Sequence, residues 1–332
     1  MKYTSIVGTR PQFVKLLPMC EALAGHDHRV IHTGQHYDHG LSGAFFDGLP
    51  APDVNLGVGS APHGEQTGAM LLGIEADLIA HRPDMVLVYG DTNSTLAGAL
   101  AAAKLGIPIA HIEAGLRSFT RSMPEEINRI VADSVSDLLL CPTETGRENL
   151  EREGRTGIVT GDVMKDAFLR LGIQPAGRRD YVVATIHRAE NTDDPARLAE
   201  IIKGLGEVGG VIFPLHPRTA KLAPKHPGIR FIEPLPHEEM LRLVAGARLI
   251  ITDSGGLKRE AYWLHTPSLI VRPTTEYPEL VDMGWATLVE PGEIADAAHG
   301  ATVPTQYDET LFGDGHAAER IVSACSDFLA SI

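Results

Sequence analysis

The run Met85-Val86-Leu87-Val88-Tyr89-Gly90-Asp91-Thr92-Asn93-Ser94-Thr95-Leu96-Ala97 decides the fold class. A short aliphatic stretch stops at a glycine and an aspartate, and over residues 93–105 apolar side chains then fall three and four apart, the spacing of a helix. The same alternation recurs outward in both directions, which is the mark of βαβ units and a parallel sheet. In the first half it predicts strands over 3–7, 29–32, 85–89, 107–112 and 137–141, with helices over 13–24, 66–81, 93–105 and 125–136. The stretch 172–180 has the Gly, Pro and charged composition of a linker. Beyond it the pattern restarts, with strands predicted over 181–186, 211–215, 230–232, 249–252 and 268–271 and helices over 195–207 and 237–245. Two α/β domains are therefore expected, residues 1–171 and 181–332, with a closing helix over 315–330 that fits either half.

Length and composition agree with this division. The chain has 332 residues, of which 43% are hydrophobic and 22% charged, an ordinary globular balance for about two domains. Its 29 basic and 43 acidic residues leave a net charge of −14, which works against nucleic acid or an anionic membrane as the main partner. An anionic ligand must then be gripped by a local basic cluster. No apolar run approaches the ~20 residues of a membrane span, and Met1 leads directly into strand-like sequence, so a cytoplasmic protein is expected. The three cysteines, Cys20, Cys141 and Cys325, are far apart; they read as buried free thiols rather than a disulfide frame or a zinc knuckle.

In open parallel sheets ligands sit beyond the carboxyl ends of the strands. The residues there are Gly8-Thr9-Arg10, Gly34-Gln35-His36, Gly90-Asp91 and Glu113-Ala114-Gly115 in the first half. In the second they are His187-Arg188, His216-Pro217, Asp253-Ser254-Gly255-Gly256 and Arg272. Two such rims facing each other make a cleft. Ser254-Gly255-Gly256 precedes a helix whose free N–H groups and dipole favour an anion, and it reads equally as a plain strand-to-helix turn. Asp91, Glu113 and Glu125 are candidates for divided acid and base roles. Each also has a simpler reading: Asp91 as a helix N-cap, Glu125 as a first-turn acid, Glu113 as a partner of Arg117. His36 with His39, and His111 with Glu113, have possible ligand spacing but no further ligands, so no metal is expected. Phosphate-binding P-loop, HExxH and GxSxG patterns are absent, no GxGxxG opens a βαβ unit, and no organic cofactor is called for.

Taken together these blocks resemble the non-hydrolysing UDP-N-acetylglucosamine 2-epimerase family. The resemblance rests on Gly8-Thr9-Arg10-Pro11 with Lys15, Gly34-Gln35-His36, Val88-Tyr89-Gly90-Asp91-Thr92, His111-Ile112-Glu113-Ala114-Gly115-Leu116-Arg117, Pro124-Glu125-Glu126 with Asn128-Arg129, Thr160-Gly161-Asp162-Val163, His187-Arg188, His216-Pro217, Thr252-Asp253-Ser254-Gly255-Gly256, and Arg272 with Thr274-Thr275-Glu276. It implies two facing Rossmann-like domains of the glycosyltransferase-B architecture with the active site in the interdomain cleft. It further implies that Arg10, Ser254, Gly255 and Gly256 hold a diphosphate, that Glu260 meets the ribose, and that His216 and Arg272 join the UDP-binding groups. Asp91, Glu113, Glu125 and His187 become the catalytic candidates, supported by Lys15 and Arg129. The implied partner is a UDP-sugar and the implied assembly a homodimer. The chemistry fits: the C2 proton of an N-acetylhexosamine has no adjacent carbonyl to acidify it and no nicotinamide site is present, so elimination of UDP to 2-acetamidoglucal and its re-addition is the route left.

The chain departs from the family pattern in places. Lys258-Arg259 stand where Gln-Glu is usual, Ala189 follows Arg188, and the connection from Leu116 to Pro124 is short. Bacterial members carry a second, activating nucleotide-sugar site; Gln35, Arg188 and His216 match it, while Asp38 and Glu65 replace a glutamine and an arginine. A carboxylate facing an anionic activator repels it, so this site is expected to be weakened or lost. A relative that hydrolyses the glycal, a glycosyltransferase, and a non-catalytic nucleotide-sugar sensor are the alternative functions.

Overall fold

The computed structural model describes residues 1–35, 51–177, 179–215, 217–220 and 222–332. The chain forms two compact units, Met1–Arg170 with Glu309–Ile332, and Leu171–Asp308. The first is built from β1 (Lys2–Val7), α1 (Arg10–Ala22), β2 (Asp27–His32), β3 (Val54–Asn55), α2 (His63–Ala80), β4 (Met85–Tyr89), α3 (Asn93–Lys104), β5 (Ile109–Ile112), α4 (Pro124–Val135), β6 (Leu138–Cys141), α5 (Glu144–Arg152), β7 (Gly157–Val159) and α6 (Val163–Arg170). The second contains β8 (Val182–Thr185), α7 (Ala189–Thr192), α8 (Pro195–Val208), β9 (Val211–Pro214), α9 (Pro217–Ala220), β10 (Ile229–Ile232), α10 (His237–Ala245), β11 (Leu249–Thr252), α11 (Gly255–Trp263), β12 (Ser268–Ile270), α12 (Pro278–Asp282), β13 (Ala286–Leu288) and α13 (Ile294–Gly300). The closing helix α14 (Ala317–Ser331) returns to the first unit.

Both sheets are parallel throughout. The first runs β3-β2-β1-β4-β5-β6-β7 and the second β10-β9-β8-β11-β12-β13. Counted within its own unit, each follows the order 3-2-1-4-5-6, with a seventh strand added at the end of the first sheet; this is the doubly wound Rossmann arrangement, and in each the chain reverses its direction of travel between the first and fourth strands.

β4 shows why this sequence makes a central strand. All five of its residues are buried, with Met85, Leu87 and Tyr89 joining the core formed with Phe13, Leu16 and Met19 of α1 and Ile321 and Cys325 of α14. Val86 and Val88 face the opposite core, with Met70, Ile74 and Leu78 of α2, Ala97 and Ala101 of α3, and Ala132 of α4. Successive side chains of a strand point to opposite faces, so a strand covered by helices on both sides must be apolar at every position. Each large side chain so buried contributes about 1.5–3 kcal/mol; the gross gain from this one strand is therefore on the order of the net stability of a whole domain. In the second unit, Val182, Ala184, Ile186, Leu249 and Ile251 pack likewise against Leu198, Ile201 and Leu205 of α8 and Ile294 of α13.

Several boundaries differ from the sequence expectation. α1 begins at Arg10 rather than at residue 13, because Pro11 occupies the helix-initiating position that its fixed φ suits. The edge strands β3, β7 and β13 have two or three residues each, too few for a periodic signal. α3 is capped by Thr92, whose Oγ1 accepts from Thr95 N at 3.3 Å, so capping does not occupy Asp91.

Candidate active site

The switch point of the first sheet lies beyond the carboxyl ends of β1 and β4. Gln12, in the first turn of α1, stitches the two turns there together. Its Oε1 accepts from Gly8 N at 2.8 Å, and its Nε2 donates to Tyr89 O at 2.8 Å and Thr92 Oγ1 at 3.0 Å. One turn along α1, Lys15 pairs with Glu113, both side chains being almost fully buried. Asp91, 34% exposed, pairs with Arg129 of α4, while Asn128 Nδ2 donates to Asp91 O at 2.9 Å. Breaking a buried pair costs about 3–5 kcal/mol, so Glu113 is fixed in place by Lys15, while the partly exposed Asp91 is held by Arg129 more weakly, its charge being screened by solvent. Glu113 itself holds φ at +70°, a left-handed conformation that residues with a Cβ adopt reluctantly.

The structure corrects one sequence expectation here. Arg117 does not neutralise Glu113; it is drawn to Asp133 at 2.7 Å and Glu153 at 2.8 Å. Glu126, which the sequence reading left without a role, accepts from Ser118 N, Ser118 Oγ and Phe119 N, each at 2.9 Å, and from Arg129. Burial would raise its carboxyl, but the Ser118 backbone bond and the Arg129 charge outweigh that and hold it below the usual range. Glu126 thus ties the 116–120 connection to the arginine that holds Asp91. Glu125 is half-buried in the first turn of α4, one helical turn before Arg129.

The second switch point lies beyond β8 and β11 and carries different chemistry. Ser254 caps α11, its Oγ accepting from Leu257 N at 3.3 Å; Gly255 and Gly256 open the helix, where backbone N–H groups and the dipole attract an anion. Arg188 is brought to this spot: its Nε donates to Asp253 O at 3.0 Å, and its Nη2 lies 3.9 Å from where a Cβ on Gly255 would stand. Asp253, fully buried, accepts from His187 N and Arg188 N and from His187 Nδ1 at 2.9 Å. Burial would raise the Asp253 carboxyl, yet the His187 bonds keep it below the usual range. With Nδ1 occupied by the carboxylate, the imidazole orientation is set.

Behind this helix start, Glu276 receives two cations. Arg272 reaches it with both terminal nitrogens, at 3.0 and 3.1 Å, and Lys258 with Nζ at 2.9 Å. Lys258 is fully enclosed, and burial lowers its ammonium to about 8 although Glu276 opposes the shift. Arg259 lies over the Tyr277 ring at 4.8 Å. Glu260 meets His237 Nε2 at 2.5 Å.

The remaining expected residues divide as follows. Arg10 stands half-buried in the first turn of α1. Gln35 Oε1 accepts from Ser94 N at 3.1 Å and Ser94 Oγ at 2.7 Å, joining the start of α3. His216 lies outside the described residues, as do His36, Asp38 and His39. Cys141 and Cys325 are buried and Cys20 is half-buried. No described helix is long and apolar enough to cross a membrane. Gln12, Glu126 and Asp253 are the residues whose importance sequence reasoning missed; Gln12 and Asp253 are polar side chains within a few positions of a strand end, while Glu126, 14 positions beyond the end of β5, carried only its place in the first turn of α4.

Chemically, the first rim offers carboxylates held by cations, and the second offers an anion cradle backed by arginines. The family model described as UDP-N-acetylglucosamine 2-epimerase matches residues 19–326. The chain is 41% identical to the UDP-N-acetylglucosamine 2-epimerase of Methanocaldococcus jannaschii, covering 97% of this chain and 98% of that one. It is 43% identical to the UDP-2,3-diacetamido-2,3-dideoxy-D-glucuronate 2-epimerase of Pseudomonas aeruginosa over the full length of both. The crystal structure of the Methanocaldococcus jannaschii UDP-GlcNAc 2-epimerase in complex with UDP-GlcNAc and UDP superposes with a TM-score of 0.91 at 41% identity, covering 98% of this chain and 100% of that one.

Proposed function

The chain belongs to the UDP-N-acetylglucosamine 2-epimerase family, and from that premise we propose that it interconverts UDP-N-acetylglucosamine and UDP-N-acetylmannosamine without net hydrolysis. The observation that carries this reading is the pair of cation-clamped carboxylates, Asp91 with Arg129 and Glu113 with Lys15, gathered at one switch point. In the proposed reaction the C1–O bond to the diphosphate breaks and its electron pair leaves with UDP. Positive charge at C1 acidifies C2–H, a carboxylate takes that proton, and a C1=C2 double bond forms. The return step delivers a proton to the opposite face of C2 while the diphosphate oxygen adds back to C1.

Ser254, Gly255, Gly256, Arg10 and Arg272 are assigned to the diphosphate, Glu260 to the ribose, and His187, held by Asp253, to the leaving group. Preorganised donors on the departing anion and acid/base groups worth ~10² to 10⁴ each are of the right order for such a step. Binding of a sensor kind needs no clamped carboxylates, which favours an enzyme. The proposed assembly is a homodimer, and saturation is proposed to be hyperbolic, without a second activating nucleotide-sugar site.

The test is incubation with UDP-N-acetylglucosamine in D₂O, following the C2 proton and free UDP by NMR. Exchange at C2 with little UDP released is the expected result; stoichiometric UDP identifies a hydrolysing enzyme, and no exchange rejects catalysis on this sugar. The Pseudomonas relative motivates a parallel run with UDP-2,3-diacetamido-2,3-dideoxy-glucuronate, in which faster exchange would reassign the sugar and keep the reaction.

A further inference from the structure

His111 is completely buried on β5, and both of its ring nitrogens are spoken for. Nδ1 lies 2.7 Å from Asp133 Oδ1 and Nε2 lies 2.7 Å from Gly90 O. A peptide carbonyl can only accept, so Nε2 is the donor in that bond. Asp133 meanwhile also takes Arg117 Nη1 at 2.7 Å and Gly115 N at 3.2 Å, which leaves Nδ1 as donor too. Burial pushes the Asp133 carboxyl up, but His111 and Arg117 together hold it below the usual range.

The two acceptors lead to the two turns that carry Asp91 and Glu113. Gly90 immediately precedes Asp91, holds φ at +63°, and lies so close to the other carboxylate that a Cβ on it would stand 3.0 Å from Glu113 Oε2. On the other side, Asp133 grips Gly115 and Arg117, which follow Glu113 and fix the exit from its left-handed backbone. Gly115 must itself be glycine, since a Cβ there would fall 2.2 Å from Gly146 O. One enclosed imidazole–carboxylate couple therefore spans both turns, with nothing else of its polar capacity left for a ligand.

We infer that His111, acting with Asp133, is a positioning residue that sets the spacing of the Asp91 and Glu113 carboxylates. This rests on the proposed C2 chemistry for its kinetic readout. In His111→Phe both bonds are lost, and the rate of C2 exchange at saturating UDP-N-acetylglucosamine is expected to fall by about 10²-fold, the effect of misplacing a reacting group by an ångström. In His111→Gln an amide can still donate to Gly90 O, so the loss is smaller. In both variants KM for the nucleotide sugar and Kd for UDP stay within about twofold, because the anion cradle of Ser254, Gly255, Gly256 and Arg272 belongs to the other unit and neither variant alters Arg10, the one diphosphate group proposed on this unit; a general loss of folded protein would instead lower UDP-binding stoichiometry and rate together.

An unchanged rate in His111→Phe, or a rate no higher in His111→Gln than in His111→Phe, overturns the inference. A second measurement avoids dependence on the variants folding: ¹⁵N–¹H spectra of the histidine-labelled wild-type protein are expected to show hydrogen on both ring nitrogens of one protected histidine. If every protected ring shows one bare nitrogen, the double-donor arrangement is wrong. Should the wild-type protein fail to exchange C2, the proposed function fails while these spectra still decide the placement of His111.

Discussion

The two switch points occupy the same topological position in sheets of the same strand order, yet they carry opposite chemistry. Beyond β4 and its neighbour β5 stand carboxylates, Asp91 and Glu113, each matched by a cation. Beyond β8 and β11 stand a helix start with Ser254, Gly255 and Gly256, an arginine against it, and a buried carboxylate that orients a histidine and holds the turn around it. Topology supplies the place and side chains supply the role. In the proposed reaction this separates proton handling from most of the anion holding, Arg10 being the exception on the first rim, so that the two can be disturbed independently.

The strongest way to break that separation is through the carboxylates. Asp91→Asn and Glu113→Gln should each lower C2 exchange by ~10² to 10⁴, measured by NMR in D₂O, with UDP affinity by calorimetry within about twofold of wild type. Loss of UDP affinity alongside exchange would mean that Asp91 and Glu113, and not Arg10 alone, contribute to holding the anion on the first rim.

A smaller effect is expected from the other side. Arg272→Lys keeps a charge but loses the two-pronged bond to Glu276 and the planar fork suited to phosphate. UDP binding should weaken roughly tenfold or more, the ~1.5–3 kcal/mol carried by a charge-assisted bond, with the exchange rate at saturation little altered. A fall in that saturated rate instead would give Arg272 a part in bond breaking.

The smallest effect concerns pH. With the Lys258 ammonium lowered to about 8 by burial, UDP affinity should drop a few-fold between pH 7 and pH 9.5 as the positive charge is lost, and Lys258→Gln should flatten the profile. Folding responds with the opposite sign: the unfolded chain keeps the lysine proton up to its ordinary value near 10.4, so between about 8 and 10.4 it binds more protons than the folded chain and stability from this group rises with pH. Chemical denaturation at pH 7.5 and 9.5, wild type against Lys258→Gln, reads this term directly.

Much of this was written locally in the sequence. β4 and α3 declare themselves because a strand buried on both faces and a helix after it need runs of five and twelve suitable residues, and Ser254-Gly255-Gly256 has the composition of a helix start that meets an anion. What was illegible depends on partners distant in sequence. Glu113 takes Lys15, 98 positions away, rather than Arg117, four away; no spacing rule reaches that far, and Arg117 was already claimed by Asp133 and Glu153. His111 and Glu113 have the separation of a metal-ligand pair, but both nitrogens of His111 are spent on Asp133 and Gly90. The edge strands were hidden for a different reason, their brevity.

Glu113 and Lys15 are each a poor choice for the fold taken singly. The backbone at 113 would relax by about 1 kcal/mol as glycine, but removing the carboxylate would strand the lysine, 5% exposed, without its counter-ion. The two positions are therefore locked to one another, and the sturdier alternative, Lys15→Met with Glu113→Gly, is reached only by changing both. A directed-evolution campaign for heat tolerance that scored survival and never turnover would be free to make this double replacement, and under the proposed reaction its winners would lack one of the two carboxylates assigned to C2.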